Sequence, residues 1–390
     1  MEHGTERAKT ALILTGGGAR AAYQAGVLAA ISEIIPDPTR NPFDIYCGTS
    51  AGAINAATLA CQAENFRAAV DNLLNVWRSM RAGHVYRADP LGIGISGARW
   101  LSSLALGWLF RNPPRSLLDN EPLRHMLERN LDFAGIDRAI ASGALHAVSI
   151  SASGYESGES VSFFQAKSCV EPWRRTQRIG SRVRIGVDHL LASSAIPFVF
   201  PATKIHREYF GDGSMRQLAP ISPAIHLGAE KVLVIGAGRM TEKQPRTRSA
   251  GYPTLAQIAG HTLSSIFLDG LAMDIERMHR VNLTLSKIPE HIRRDNQINL
   301  RPIRTLIIAP SQRLDHLASK HAKALPWSVK TLLTGIGAMN KRGGALTSYL
   351  LFEQPYTRAL IDLGYHDTIE QADEVREFLD LPSIHPPAHG

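Results

Sequence analysis

Ser50 stands in the one stretch of this sequence built like a presenting turn for a nucleophile. Gly48-Thr49-Ser50-Ala51-Gly52 fits the G-x-S-x-G pattern, in which a serine sits on a sharp strand-to-helix turn. Glycines two residues either side leave room for close backbone approach, because they carry no Cβ. The apolar run Ile45-Tyr46-Cys47 before it reads as a strand. Ala51, Ala53, Ala56, Ala57 and Ala60 after it give a small-residue helix that can lie close to a sheet. The start of such a helix points free N–H groups and partial positive charge at the serine. Some thirty residues upstream, Ala11-Leu12-Ile13-Leu14 leads into three consecutive glycines, Gly16, Gly17 and Gly18, and then a helical stretch with Tyr23, Val27 and Leu28 on one face. Bare glycines at such a turn expose successive N–H groups, a concavity suited to a phosphate or to the oxyanion of an acyl-transfer intermediate.

Other chemistries have less to stand on. Gly16-Gly17-Gly18-Ala19-Arg20-Ala21 also satisfies the glycine pattern of dinucleotide-binding folds. The acidic residue that pattern wants about twenty positions on is Asp37, which lies between two prolines. His125, His189, His206, His226, His261 and His279 show no paired ligand spacing, and the three cysteines, Cys47, Cys61 and Cys169, are too scattered for a zinc site or a disulfide framework. No metal and no cofactor is expected.

The elements that must position Ser50 alternate between strands and helices. Breaks at Pro36-Asp37-Pro38 and Asn41-Pro42 separate the first helix, ending near Ile35, from the strand before Ser50. Ala68 to Arg81 reads as an amphipathic helix, Leu145–Ala152 as a strand, and Ser157–Ser160 as a hairpin turn into Val161–Phe164. A helix comes next over 187–194, then a strand at Tyr209–Gly213 ending in a turn. Lys231–Gly236 closes the sheet, and a later strand, Thr305–Ala309, is available to join it. The polar stretch 239–250 reads as a linker, and the chain beyond it is mainly helical, with Ile266, Phe267, Leu271 and Ile275 at helical spacing.

Gly16-Gly17-Gly18-Ala19-Arg20, Gly48–Gly52, Leu191-Ala192-Ser193-Ser194-Ala195-Ile196-Pro197 and Asp212-Gly213, in that order over roughly residues 10–236, resemble the patatin-like phospholipase family. The resemblance implies a three-layer α/β/α fold with a mostly parallel central sheet, and hydrolysis of acyl esters of lipids by a Ser–Asp dyad without histidine. It makes Ser50 the nucleophile and Asp212 the base that takes its proton. Backbone N–H groups of Gly17, Gly18 and Ala19 form the oxyanion hole, while Arg20 braces the glycine loop, meets a phosphate or forms a structural salt bridge. Ser214 and Ala21 stand where the family usually carries glycine or alanine and glycine, respectively; both are small. The implied organisation is a polar lead (1–9), a catalytic domain (10–238), a linker (239–250) and a mainly helical C-terminal extension (251–390) like that of some bacterial members. Two competing readings stay open. His226 follows Asp212 in the chain order of a Ser–His–Asp esterase, and a non-catalytic, membrane-associated scaffold would keep the same fold.

The 390 residues carry a net charge of +8, with 44% hydrophobic and 20% charged residues, which suits a globular protein with a large core and excludes a disordered or coiled-coil chain. Arginines cluster at 174, 175, 178, 182 and 184, a face suited either to solvent or to anionic lipid headgroups. No nucleic-acid-binding motif accompanies them. The nearly uncharged segment 90–118, with Trp100, Trp108 and Arg111 as interface anchors, reads as a lid or interfacial segment, as buried core, or as a span. The polar start of the sequence shows no signal peptide pattern, so the expected location is cytoplasmic, with peripheral contact at the inner face of the membrane. The expected partner is a lipid or acyl ester.

Overall fold

The computed structural model describes residues 7–88, 116–238, 254–296, 300–335 and 344–382. Most of the 90–118 segment, and the whole of the 239–250 stretch, lie outside them.

Among the described residues ten strands form one sheet: β1 (Thr10–Leu14), β2 (Ile45–Thr49), β3 (Ala147–Gly154), β4 (Ser160–Ala166), β5 (Trp173–Arg175), β6 (Arg178–Arg182), β7 (Thr203–Ile205), β8 (Glu208–Asp212), β9 (Lys231–Ile235) and β10 (Arg304–Ile308). The order across it is β10-β9-β1-β2-β3-β4-β6-β5, with β8 on β3 and β7 on β8. The strands from β10 to β3 run parallel, and the continuous apolar character of β1 and of Val232–Ile235 in β9 reflects burial on both faces. β4 turns back antiparallel on β3, as the Ser157–Ser160 turn predicts. Lys231–Ile235 does not close the sheet. It is interior, because β10 pairs with it in register from Arg304 opposite Lys231 to Ile308 opposite Ile235.

Helices cover both faces. α1 (Ala22–Ile34) and α2 (Ala51–Cys61) are almost wholly buried, while α3 (Phe66–Arg78) is amphipathic and starts two residues earlier than its apolar spacing suggests. Asn65 explains the earlier start, since its side chain accepts from the Ala68 N–H and caps the helix. A chain of buried hydrogen bonds ties these layers together. The Trp77 indole donates to Asn55 Oδ1 at 2.9 Å, Asn55 donates to Gln24 Oε1 at 2.8 Å, and Gln24 donates to the Thr15 carbonyl at 2.8 Å. The C-terminal helices are part of the same core. The Gln354–Glu370 helix packs along α1, and Tyr23 donates to the buried Asp367 carboxylate at 2.9 Å.

Candidate active site

β2 ends at Thr49, and the next residue, Ser50, has φ 55° and ψ −130°. A non-glycine residue in this region costs of order 1–3 kcal/mol, and the strain turns the chain from strand into α2 within one residue. The turn demands space: a Cβ on Gly52 would lie 2.2 Å from the Leu14 carbonyl oxygen. The Ser50 N–H donates to Ser193 Oγ at 2.9 Å, and Ser193 donates in turn to the Ser151 carbonyl at 2.6 Å. Beside it, Gln217 bridges Thr49 Oγ1 (2.8 Å) and Ser151 Oγ (3.0 Å). The elbow is therefore held from β3 and from the loop after β8.

Asp212 reaches Ser50 through sheet register. β2 occupies one edge of β3 up to Thr49 opposite Ser151, and β8 takes over that edge with Asp212 opposite Ala152. The last residue of β8 thus takes the place β2 vacates when it turns away at Ser50. The Asp212 N–H donates to the Ala195 carbonyl at 2.9 Å, which fixes the strand end to the Ser193–Ile196 segment. Both Ser50 and Asp212 are only 1% exposed.

Burial pushes the Asp212 carboxyl up to about 6, against the lowering pull of the Ser50 hydroxyl and of Ser214, whose backbone N–H donates to Oδ1 at 2.9 Å. Oδ2 is buried and has no hydrogen-bond partner. The Ser50 hydroxyl therefore stands near enough to influence the carboxyl without a fully formed hydrogen bond. Such contacts often tighten only when substrate is bound.

The glycine loop opens a short 3-10 helix, Gly18–Ala21, whose first N–H groups have no intrahelical acceptor. Gly18 has φ +54°, and a Cβ there would lie 2.3 Å from the Tyr349 carbonyl oxygen. Gly18 and Ser50 share a narrow cavity of about 40 Å³ whose other walls include Ile54, Leu73, Trp77, Met126 and Phe200. An apolar group suits that lining, and a charged group does not.

The structure places the Arg20 side chain against Ser348 and Tyr349 of the C-terminal part of the chain. The side chain is buried, with Nε donating to Ser348 Oγ at 2.8 Å and Nη1 to the Tyr349 hydroxyl at 3.1 Å. Its guanidinium lies 4.0 Å from the centre of the Tyr349 ring. Among the described residues it forms no ion pair. Tyr349 stacks on Phe267 at 5.1 Å, and Phe267 lies against Gly16. These three partners, Phe267, Ser348 and Tyr349, carry no local motif, so sequence reasoning missed them. Ser193 lies inside a recognised segment, but its contact with Ser50 spans 143 residues.

His226 does not reach Ser50. It ends the Ser222–His226 helix and lines a separate depression with Lys9 and His146, which directly precede β1 and β3. Ser50 follows the opposite end of β2, which runs parallel to both, about 17 Å away at about 3.3 Å per residue over five residues. His226 is lowered to about 4 by burial and by Arg175, Arg178 and Arg301, and packs edge-on against Trp173. The Ser–His–Asp expectation through His226 is corrected by that placement.

A family model described as patatin-like phospholipase matches residues 12–225, more than half of the chain. The chain belongs to the patatin-like phospholipase family. Among characterised family relatives, it is 29% identical over 210 residues to a cGAMP-activated phospholipase of Pseudomonas aeruginosa, covering 54% of this chain and 53% of that protein. It is 42% identical over 59 residues to a cUMP-AMP-activated phospholipase of Escherichia coli, covering 15% of this chain and 18% of that protein. The chain thus spans about half the length of the first relative and under a fifth of the second. Distant structural likeness extends to VipD from Legionella pneumophila, with TM-score 0.38, 11% identity and coverage of 95% of this chain and 67% of that one. It extends also to the type III effector protein ExoU, with TM-score 0.25, 14% identity and coverage of 97% and 90%.

The arginine cluster is partly consumed locally. Arg182 donates to the carbonyls of Ala166 (2.8 Å) and Lys167 (3.0 Å), Arg184 pairs with Asp137 at 3.0 Å, and Arg174 pairs with Glu159 at 3.5 Å. Among the described residues no helix is long and apolar enough to cross a membrane.

Proposed function

We propose that this protein is a lipid acyl hydrolase of the phospholipase A or lysophospholipase type, with Ser50 as nucleophile and Asp212 as its base. The observation that carries the reading is the succession of β2 and β8 on one edge of β3, which sets a buried carboxylate beside the elbow serine. An ordinary aspartate, near 3.9, is a poor base for a hydroxyl. Burial that raises Asp212 to about 6 makes it a stronger base that is still mostly ionised at neutral pH.

In the first half-reaction Ser50 Oγ attacks the ester carbonyl carbon while its proton passes to Asp212. The tetrahedral oxyanion accepts N–H bonds from Gly17, Gly18 and Ala19. Loss of one such donor typically costs about 2.7–4 kcal/mol in the barrier. Collapse breaks the bond to the alkoxy group, which leaves with the proton held by Asp212. Water then attacks the acyl-serine, giving its proton to Asp212, and the acid departs as Ser50 recovers its hydrogen. The apolar cavity takes the carbons of the acyl chain next to the ester. We assign this chemistry to the 10–238 domain, with the 251–390 extension bracing its glycine loop through Arg20. Substrate is met at a membrane surface by peripheral contact on its cytoplasmic side.

The test is hydrolysis of a p-nitrophenyl acyl series and of phospholipid vesicles by wild type, Ser50→Ala and Asp212→Asn. The expected result is activity lowered by about three orders of magnitude or more in either variant, with unchanged far-UV circular dichroism. Activity surviving in both folded variants would remove Ser50 and Asp212 from the chemistry, and activity absent from the wild type would favour the scaffold reading.

A further inference from the structure

The two serines that follow Ala192 differ sharply in how their hydroxyls are used. Ser193 Oγ is fully engaged, accepting from Ser50 and donating to Ser151. Ser194 is 7% exposed, and its buried Oγ has no hydrogen-bond partner. Its backbone leaves no slack to explain this. The N–H is held by the Leu190 and Leu191 carbonyls at 3.0 and 3.2 Å, and the carbonyl accepts from Ile196 at 2.9 Å.

A hydroxyl at a helix end ordinarily bonds back to the carbonyl four residues earlier. Ser79 does so to Asn75, Thr58 to Ile54 and Thr368 to Gly364, each at 2.8 Å. Ser194 makes no such bond to Leu190, although its N–H reaches that carbonyl. Two other buried serine hydroxyls, Ser32 and Ser149, also lack partners, but Ser194 alone of the three lines the cavity shared by Ser50 and Gly18. A native structure that leaves a donor unsatisfied in an apolar pocket carries a cost that a ligand removes when it pairs with that donor.

We propose that Ser194 contacts substrate, donating a hydrogen bond to an oxygen of the ester group whose acyl chain enters the cavity. The inference rests on Ser50 being the nucleophile. An acyl chain is polar only at its ester end, so a buried donor on a residue that lines the same narrow cavity as the nucleophile is placed to meet an ester oxygen once substrate enters. Ser194 is thereby a specificity residue: it rewards an ester placed at Ser50 over a hydrocarbon segment slid into the same space.

The experiment compares wild type with Ser194→Ala, Ser194→Thr, Ser194→Cys and Ser50→Ala on p-nitrophenyl esters of several chain lengths, with thermal melts of each. Ser194→Ala is expected to lower kcat/KM about three- to tenfold, the worth of one neutral hydrogen bond, by the same factor at every chain length. Its Tm is not lowered, because no protein hydrogen bond is lost. Thr, which keeps the hydroxyl, recovers most of the loss, and Cys, a weaker donor, falls between. Unchanged kcat/KM in Ser194→Ala, with activity still dependent on Ser50, overturns the inference alone. So does a fall in Tm that parallels the activity loss, or a loss confined to long chains. Activity that does not depend on Ser50 overturns it together with the reading beneath it.

Discussion

Asp212 carries opposite consequences for activity and for stability. As the proposed base it works only when ionised, so kcat/KM should rise with pH through about 6 and level off above it. A profile flat from pH 4 to 8 would remove Asp212 from that role. Folding responds with the other sign. The native carboxyl binds its proton more tightly than the unfolded one, so the folded state loses stability as pH rises from about 4 through about 6. The difference between the two values corresponds to about 3 kcal/mol. Asp212→Asn should therefore raise the melting temperature at pH 8 and change it little at pH 4, while removing activity at both. A lower melting temperature at pH 8 would show that the carboxylate is held by contacts stronger than its burial penalty. This pairing of lost activity with gained stability is what a group kept for function produces.

At the scale of elements, the elbow depends on how closely backbones approach. Gly18→Ala places a Cβ on a residue with φ +54° and against the Tyr349 carbonyl, so it should lower stability by more than about 1 kcal/mol and move the glycine loop. Denaturant unfolding together with the rate of Ser50 phosphonylation by a fluorophosphonate checks both effects; wild-type values in the two assays would show that the loop relaxes freely. Local elements of this kind were legible in the sequence. Strand β1, the elbow strand and α2 each declare themselves within about fifteen residues, by apolar runs, glycines and alanines at fixed offsets. The segments around Ser193 and Asp212 were legible only by resemblance, because their role depends on register: nothing in Tyr209–Asp212 says that β8 will replace β2 on the edge of β3. The neighbours of β9 were misjudged for a related reason. An apolar strand buried on both faces shows that helices cover it, not which strands pair along its edges; the later strand that the sequence offered to the sheet, some seventy residues on, takes the outer edge of β9 as Arg304–Ile308. Arg20 left three roles open because Ser348 and Tyr349 stand 328 and 329 residues away.

At the scale of the whole molecule, the family match ends at residue 225 while the fold does not. β10 covers the outer edge of β9, the Gln354–Glu370 helix covers α1, and Phe267 with Tyr349 covers the glycine loop. A chain cut after residue 238 exposes that sheet edge and the apolar surface of α1. It should be insoluble or melt without cooperativity, and a soluble fragment with a sharp melt near that of the full chain would show the C-terminal helices to be dispensable. The same arrangement sets a schedule for synthesis. Arg20 emerges from the ribosome early, and its partners Ser348 and Tyr349 emerge 328 and 329 residues later. At the usual 5–20 residues per second, that interval is roughly 15 to 70 seconds. During that time the glycine loop lacks its brace, β1 waits for both β9 and β10 to complete its side of the sheet, and Ser50 has no finished pocket around it. A nascent chain therefore holds its glycine turn and elbow without their distal partners until Ser348 and Tyr349 have emerged.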